Sequence, residues 1–157
     1  MKTHRRIFAA LGFASVLPAA SEAAQTDPEV IIYRFPGVQD SGGAAKTGVA
    51  TSILCTNFSG QLETIRYVVR NFDSRLAVNM TLPINHLNTR TVTTHETALY
   101  VEDLGLSSGF IDQGSIAIAA TSISIVCTAS IVDASATVPV GIALHGVRFS
   151  PIPGSEE

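Results

Sequence analysis

Ala50-Thr-Ser-Ile-Leu-Cys-Thr56 and the related stretch Ala120-Thr-Ser-Ile-Ser-Ile-Val-Cys-Thr128 decide the fold of this chain. Each stretch places one of the two cysteines beside β-branched and apolar residues, which is typical of a half-buried strand. Cys55 and Cys127 are 72 residues apart. We expect them to form one disulfide that joins two strands; two free buried thiols are the alternative.

The first 23 residues have the three parts of a secretory signal peptide. Lys2, Arg5 and Arg6 form the basic region, residues 7–17 form the apolar region, and small residues lead to a cleavage site after Ala23. The arginine pair keeps the twin-arginine route open beside the general secretory route. The sequence therefore predicts export to the periplasm or the extracellular space, where a disulfide persists.

The charge of the mature chain argues against two classes of partner. Residues 1–23 contain three of the ten basic and one of the thirteen acidic residues, which leaves seven and twelve, a net charge of −5. A nucleic-acid backbone requires a basic surface, so we expect no nucleic-acid partner. Residues 114–132 are uncharged and long enough to span a bilayer, but their serines and threonines alternate with apolar residues. Alternation indicates strands, so we expect no integral membrane span in the mature chain.

Strand patterns occupy most of the chain after the signal peptide, with almost no helical periodicity. We expect an all-β fold, an antiparallel β-sandwich of seven or eight strands that is immunoglobulin-like in architecture, with Cys55–Cys127 as an inter-sheet disulfide. A closed barrel is the alternative. The strand candidates are residues 30–35, 49–57, 62–72, 76–82, 90–101, 115–120, 122–132 and 138–149.

The pattern also predicts the domain organisation. We assign 1–23 to the signal peptide, 24–48 to an N-terminal strand and a flexible glycine-rich loop, 49–150 to the β-sandwich core, and 151–157 to an irregular tail. Residues 102–113, which are rich in glycine, serine and acids, are expected to form a loop.

Two segments resemble small exported bacterial proteins of uncharacterised function. These are Cys55-Thr-Asn-Phe-Ser-Gly60 and Gly141-Ile-Ala-Leu-His-Gly-Val-Arg-Phe-Ser-Pro-Ile-Pro-Gly154. The resemblance implies a bacterial, exported, disulfide-bearing β-domain. It implies no activity, and no catalytic residue follows from it.

Metal ligands and cofactors are not indicated by the sequence. His86, His95 and His145 show no ligand spacing of a recognised zinc site. The acids Glu102, Asp103 and Asp112 could surround a calcium ion, but their spacing does not match the twelve-residue calcium loop. We therefore predict no metal site and no cofactor.

Catalytic motifs give no catalytic site: Gly105-Leu-Ser-Ser-Gly109 matches the letters of a Gly-x-Ser-x-Gly elbow but lies in a stretch expected to be a loop rather than between a strand and a helix, and the chain has no Ser-x-x-Lys pair. The remaining candidate is a weak ligand or partner patch made of Arg66, Arg70, His95 and His145. Arg66 and Arg70 should share one face of a strand, because side chains alternate with period two.

We thus expect a non-enzymatic structural or interaction module; the sequence does not identify its partner, and a protein at the cell surface or in the periplasm is the kind of partner we expect. A small-ligand or metal-binding secreted module is the alternative. A third hypothesis is an assembling subunit that pairs strands edge to edge, with residues 25–48 as a donor.

Overall fold

The structure is a computed structural model that describes residues 30–149. The expected signal peptide at 1–23 and the expected irregular tail at 151–157 lie outside the described residues.

Two five-stranded sheets pack face to face, which confirms the predicted all-β sandwich. Sheet A has the strand order β10-β1-β7-β3-β4, and sheet B has the order β6-β5-β2-β8-β9. All strand pairs are antiparallel except β5 with β6. The strands are β1 (Val30–Asp40), β2 (Val49–Asn57), β3 (Glu63–Asn71), β4 (Leu76–Ile84), β5 (Thr89–Thr93), β6 (Asp103–Gly105), β7 (Ile111–Ala120), β8 (Ile125–Asp133), β9 (Gly141–Ala143) and β10 (Val147–Arg148).

The described residues contain ten strands, so the expected number of seven or eight was wrong. The candidate at 138–149 divides into β9 and β10, and the expected loop at 102–113 contributes β6 and the start of β7. The candidate at 90–101 ends as a strand at Thr93. At the next residue the backbone N–H of Thr94 still donates to the carbonyl of Thr51 at 2.9 Å, but the N–H of Thr51 donates to the hydroxyl of Thr94 at 3.0 Å, so the regular ladder ends there.

The strand order differs from that of immunoglobulins, in which the first two strands are neighbours in one sheet. Here β1 lies in sheet A and β2 lies in sheet B. Because β1 is bonded to β7 on one side and β10 on the other, it belongs to the sandwich. Residues 30–40 are therefore part of the sandwich, in addition to the predicted core at 49–150, and they are not a free donor strand.

The disulfide between Cys55 and Cys127 forms, but its predicted position between the two sheets was wrong. The two cysteines lie directly opposite each other on neighbouring strands of sheet B, β2 and β8, with their Cα atoms 4.1 Å apart. Directly opposed residues of an antiparallel pair are close enough to be bridged. The bridge therefore crosslinks the centre of one sheet.

The core lies between the sheets and follows the period-two pattern of the sequence. Both cysteines face it and are buried. Alternate residues of the central strands complete it: Ile65, Tyr67 and Val69 of β3, Ile116, Ile118 and Ala120 of β7, Ile53 of β2, and Ile125 and Ala129 of β8. A smaller cluster of Ala50, Val132 and Ala134 packs against Leu99.

Across residues 30–149 there is no helix that is long and apolar enough to cross a membrane.

Candidate functional site

The four residues of the predicted patch lie on different parts of the fold. Arg66 and Arg70 do share the outer face of sheet A, where Arg66 is opposite Ala119 and Arg70 is opposite Ser115 of β7. His95 lies in the loop after β5, and His145 is exposed in the connection between β9 and β10. The two arginines therefore lie close together on one sheet face, whereas each histidine lies in a separate loop.

His95 is part of a buried hydrogen-bond network that joins two loops. Its Nδ1 lies 2.9 Å from Oδ2 of Asp40, and its Nε2 lies 2.9 Å from the carbonyl oxygen of Thr47. The Asp40 side chain is 1% exposed and also accepts hydrogen bonds from the backbone N–H of Gly42 and the hydroxyl of Ser108. The network ties the loop at 41–48 to the loop at 94–110.

These contacts engage His95, Asp40 and Ser108, whereas Ser107 of the Gly105-Leu-Ser-Ser-Gly109 stretch lines the adjacent cleft with a left-handed backbone, φ 52°. Both ring nitrogens of His95 already contact oxygen atoms, Oδ2 of Asp40 and the carbonyl oxygen of Thr47, so the ring is held between the two loops. The Ser108 hydroxyl donates to Asp40 at 3.1 Å rather than to His95, so the three residues do not form the nucleophile–base relay of a hydrolase. The network therefore has the properties of a structural staple.

A polar cleft of about 610 Å³ opens above this network, lined by Asp40, His95, Glu96, Asp103 and glycines of both loops. Its charged groups already have partners. Glu96 pairs with Lys46 at 3.0 Å, and Oδ2 of Asp103 accepts bonds from Thr93 and from the backbone and hydroxyl of Thr97. The cleft thus offers few groups that could orient a ligand.

The metal hypotheses find no support in the described part of the chain. No group of three or more His, Cys, Asp or Glu residues within 30–149 could hold a metal ion. His86, the third candidate histidine, accepts a hydrogen bond from the backbone N–H of Gly60 at 3.0 Å, far along the chain from the Asp40 network.

The edge of sheet A at β4 is the most distinctive surface among the described residues. The strand is nine residues long, and within 30–149 it is paired only on the side of β3. The other edge strands, β6, β9 and β10, have only three, three and two residues. None of the nine residues of β4 is charged. A long uncharged edge is a template for pairing with another strand.

The single proline of β4 shows which backbone groups face outward. Proline is tolerated in an edge strand where its nitrogen points away from the neighbouring strand. In agreement, the carbonyl of Pro83 is bonded at 3.2 Å by Nη2 of Arg90, a residue of sheet B. Since backbone groups alternate along a strand, Asn79 and Thr81 also direct their N–H and C=O outward. Ala77 is skipped in the β3–β4 register, which marks a bulge there.

The side chains of β4 form a mixed surface along the same edge. Met80 and Leu82 are partly buried and pack against the core. Phe72 and Leu76, at the turn that joins β3 to β4, are exposed apolar residues. An added strand would therefore meet apolar side chains on the inner face and short polar ones, Asn79 and Thr81, on the outer face.

Two buried titratable groups close to this region have shifted pKa values. Burial acts to raise the pKa of Glu63, but hydrogen bonds from Thr121, Ser59 and Gln61 outweigh it and hold that pKa below its ordinary value. Burial raises the pKa of Tyr67 well above its ordinary value, and the positive charge of Arg90 opposes the shift only in part. Neither group is placed to do chemistry, because both are enclosed by the sheet.

Sequence reasoning missed Asp40 and the β4 edge. Asp40 stands in a glycine-rich stretch that reads as a loop, and only its distant partners His95 and Ser108 show that it is buried. The absence of charge in residues 76–84 was visible in the sequence, but the position of a strand in a sheet depends on pairing between distant segments.

Comparison of the chain with protein families, with curated proteins and with solved structures finds no match.

Proposed function

We propose that this protein is an exported, non-enzymatic interaction module that binds an extended segment of a partner protein at the β4 edge. In this mode of recognition, backbone hydrogen bonds to an exposed sheet edge supply affinity, and contacts to alternate side chains supply specificity. The observation that carries the proposal is the nine-residue, uncharged strand whose outer side is unpaired within residues 30–149.

The buried disulfide supports the exported location. It lies in the core of sheet B, and such bridges are rare in proteins that remain in a reducing cytosol. Fractionation of cells that express the full chain tests this part of the proposal. We expect processed protein outside the cytoplasm with both thiols oxidised; unprocessed, reduced protein in the cytosol would contradict it.

Native edges of this length are usually protected from pairing by charges, bulges or proline. In β4 these features occur at the ends of the strand, with the bulge at Ala77 and the bonded Pro83 on either side of Asn79 and Thr81. The central part of the edge therefore remains open over a short length. A short open length suits selective binding of a segment rather than unlimited aggregation.

A peptide-binding experiment tests the function. The probe is a nine-residue peptide with alternating valine and glutamine, labelled for fluorescence anisotropy, and the protein is the processed chain with its disulfide intact. We expect saturable binding that is lost in Asn79→Lys, because an edge lysine prevents pairing. Thr128→Lys, an exposed position of β8 in the other sheet, is the matched control and should bind normally.

Asn79→Pro is the second variant, because it removes an N–H that faces outward. It should bind weakly while its melting temperature stays close to that of the unaltered protein. Undiminished binding by both variants would contradict the proposal, and so would turnover in a hydrolase panel that one acid or histidine substitution abolishes.

A further inference from the structure

We infer that the segment bound at β4 is acidic, with carboxylates close to its two ends; this inference rests on the proposed function. The basis is the position of the arginines. The strand itself has no charge, but positively charged side chains stand at both of its ends.

At the end of β4 near the turn, the cations are Arg70 and Arg75. Arg70 is exposed at the end of β3, opposite Leu76, and Nη1 of Arg70 donates to the carbonyl of Ser74 at 2.9 Å. That bond holds the guanidinium over the turn. Arg75 is exposed and immediately precedes the first residue of β4. Arg75 therefore stands at the open edge itself, and Arg70 adds positive charge from β3, one strand inside it.

At the other end, Arg90 occupies the gap between the two sheets. It projects from β5 of sheet B and bonds to the outward carbonyl of Pro83 on β4. Arginine carries five N–H donors, so at least three of those on Arg90 remain for a ligand. A carboxylate that ends an added strand here would form the charge-assisted bonds that arginine favours.

The acids near the edge do not cancel this charge. Asp73 lies in the turn, and its Oδ1 accepts a bond from the backbone N–H of Arg75 at 3.1 Å. Glu63 lies opposite Ile84 but is buried and bonded to Thr121 and Gln61. One exposed carboxylate therefore faces three arginines around β4.

The same arginines disfavour a second copy of this chain as the bound segment. If β4 paired with β4 of a second copy in antiparallel orientation about Met80, the side chains on the inner face of one strand would lie opposite those on the inner face of the other. This pairing would also place Ala77 opposite Pro83 of the copy, and thereby Arg75 close to Arg90 of the copy at both ends of the interface. Like charges in such positions oppose association.

The complementary ligand is therefore an extended segment of another protein with apolar residues toward Met80 and Leu82 and with Asp or Glu near its ends. The apolar residues would extend the inner face of sheet A. The acidic residues would contact Arg75 at one end, within the field of Arg70, and Arg90 at the other.

Three peptides of equal length test the inference. All three have valine at alternate positions. At the other positions near both ends, the first peptide has glutamate, the second has glutamine and the third has lysine. Binding is measured by anisotropy at low and high salt. We expect the glutamate peptide to bind at least tenfold more tightly than the glutamine peptide, the lysine peptide to bind least, and the differences to shrink at high salt.

Arginine variants test whether these side chains cause the preference for the glutamate peptide. Arg75→Gln combined with Arg90→Gln should reduce the preference for glutamate by about tenfold and leave binding of the glutamine peptide nearly unchanged. Arg148→Gln, in β10 at the opposite edge of sheet A, is the matched control and should keep the preference.

Each failure points to a different conclusion. Equal binding of the three peptides would overturn the acidic preference and leave strand addition intact, whereas no binding of any peptide would overturn both. A dimer in analytical ultracentrifugation that Asn79→Lys abolishes would also overturn the inference, because the edge would then belong to a second copy.

Discussion

The two sheets of the sandwich are stabilised in different ways. Sheet B has a covalent link at its centre, where Cys55 and Cys127 join β2 to β8, and its edge strands β6 and β9 are three residues long. Sheet A has no covalent link, and its edge strand β4 is nine residues long and uncharged. In our proposal, sheet B is the covalently stabilised half of the fold, and sheet A presents the edge at which a partner segment binds.

The largest effect should come from removing the link in sheet B. Replacing both cysteines by alanine should lower the free energy of unfolding by about 4 kcal/mol, because the bridge closes a long loop in the unfolded chain. Urea denaturation of the unaltered protein with its disulfide intact and of the cysteine-free variant measures the difference. An unchanged unfolding midpoint, or two titratable thiols in the exported protein, would contradict the role we assign to sheet B.

The next largest effect should come from the staple at the loop end. Asp40→Ala leaves His95 and the N–H of Gly42 without their shared acceptor, whereas the Ser108 hydroxyl keeps the carbonyls of Thr94 and Gly109, so we expect a loss of about 3 kcal/mol in unfolding free energy. Asp112→Ala, an exposed carboxylate in β7, is the control and should change stability by less than about 0.5 kcal/mol. Equal effects of the two substitutions would show that the network does not stabilise the loops.

Acid should weaken sheet A through Glu63. Because the pKa of Glu63 is lower in the folded protein than in the unfolded chain, its ionised form favours folding. That contribution is fully present above the ordinary glutamate pKa of about 4.3, and it is lost as the pH falls through the folded value. The free energy of unfolding, measured by denaturation at a series of pH values between 6 and 3, should fall less steeply with pH for Glu63→Gln than for the unaltered protein. The same slope in both proteins would contradict this.

The smallest effect is expected at Tyr67, beneath the centre of sheet A. Its hydroxyl is buried and makes no hydrogen bond within residues 30–149. Tyr67→Phe removes this unsatisfied group without creating a cavity, so the free energy of unfolding should stay equal or rise by up to about 1 kcal/mol. A clear loss of stability would show that the hydroxyl has a partner.

The sequence was sufficient for strand β2 and for the pairing of the two cysteines. The bounds of β2 are those that the pattern of residues 49–57 predicts, and the pairing of Cys55 with Cys127 followed from composition and the expected export. These features depend on short-range alternation and on there being two cysteines. Neither depends on the order in which strands assemble.

The order of the strands in the two sheets could not be predicted from the sequence, and the location of the candidate site depends on that order. The analogy to immunoglobulins placed the cysteines in different sheets, whereas β8 returns to pair with β2. Residues 90–101 were predicted to be one strand, yet His95 and Glu96 follow the end of β5. Only the folded chain shows that residues 76–84 form an edge and that Arg90 reaches it from the other sheet.

Amide hydrogen exchange along β4 tests the account most directly. In the free protein, the N–H groups of Val78, Met80 and Leu82 face β3 and should exchange slowly, while those of Asn79 and Thr81 should exchange rapidly. Saturation with the glutamate peptide should protect Asn79 and Thr81 and leave the alternate residues unchanged. Protection of Asn79 and Thr81 in the free monomer, or rapid exchange at both after saturation, would contradict strand addition at this edge.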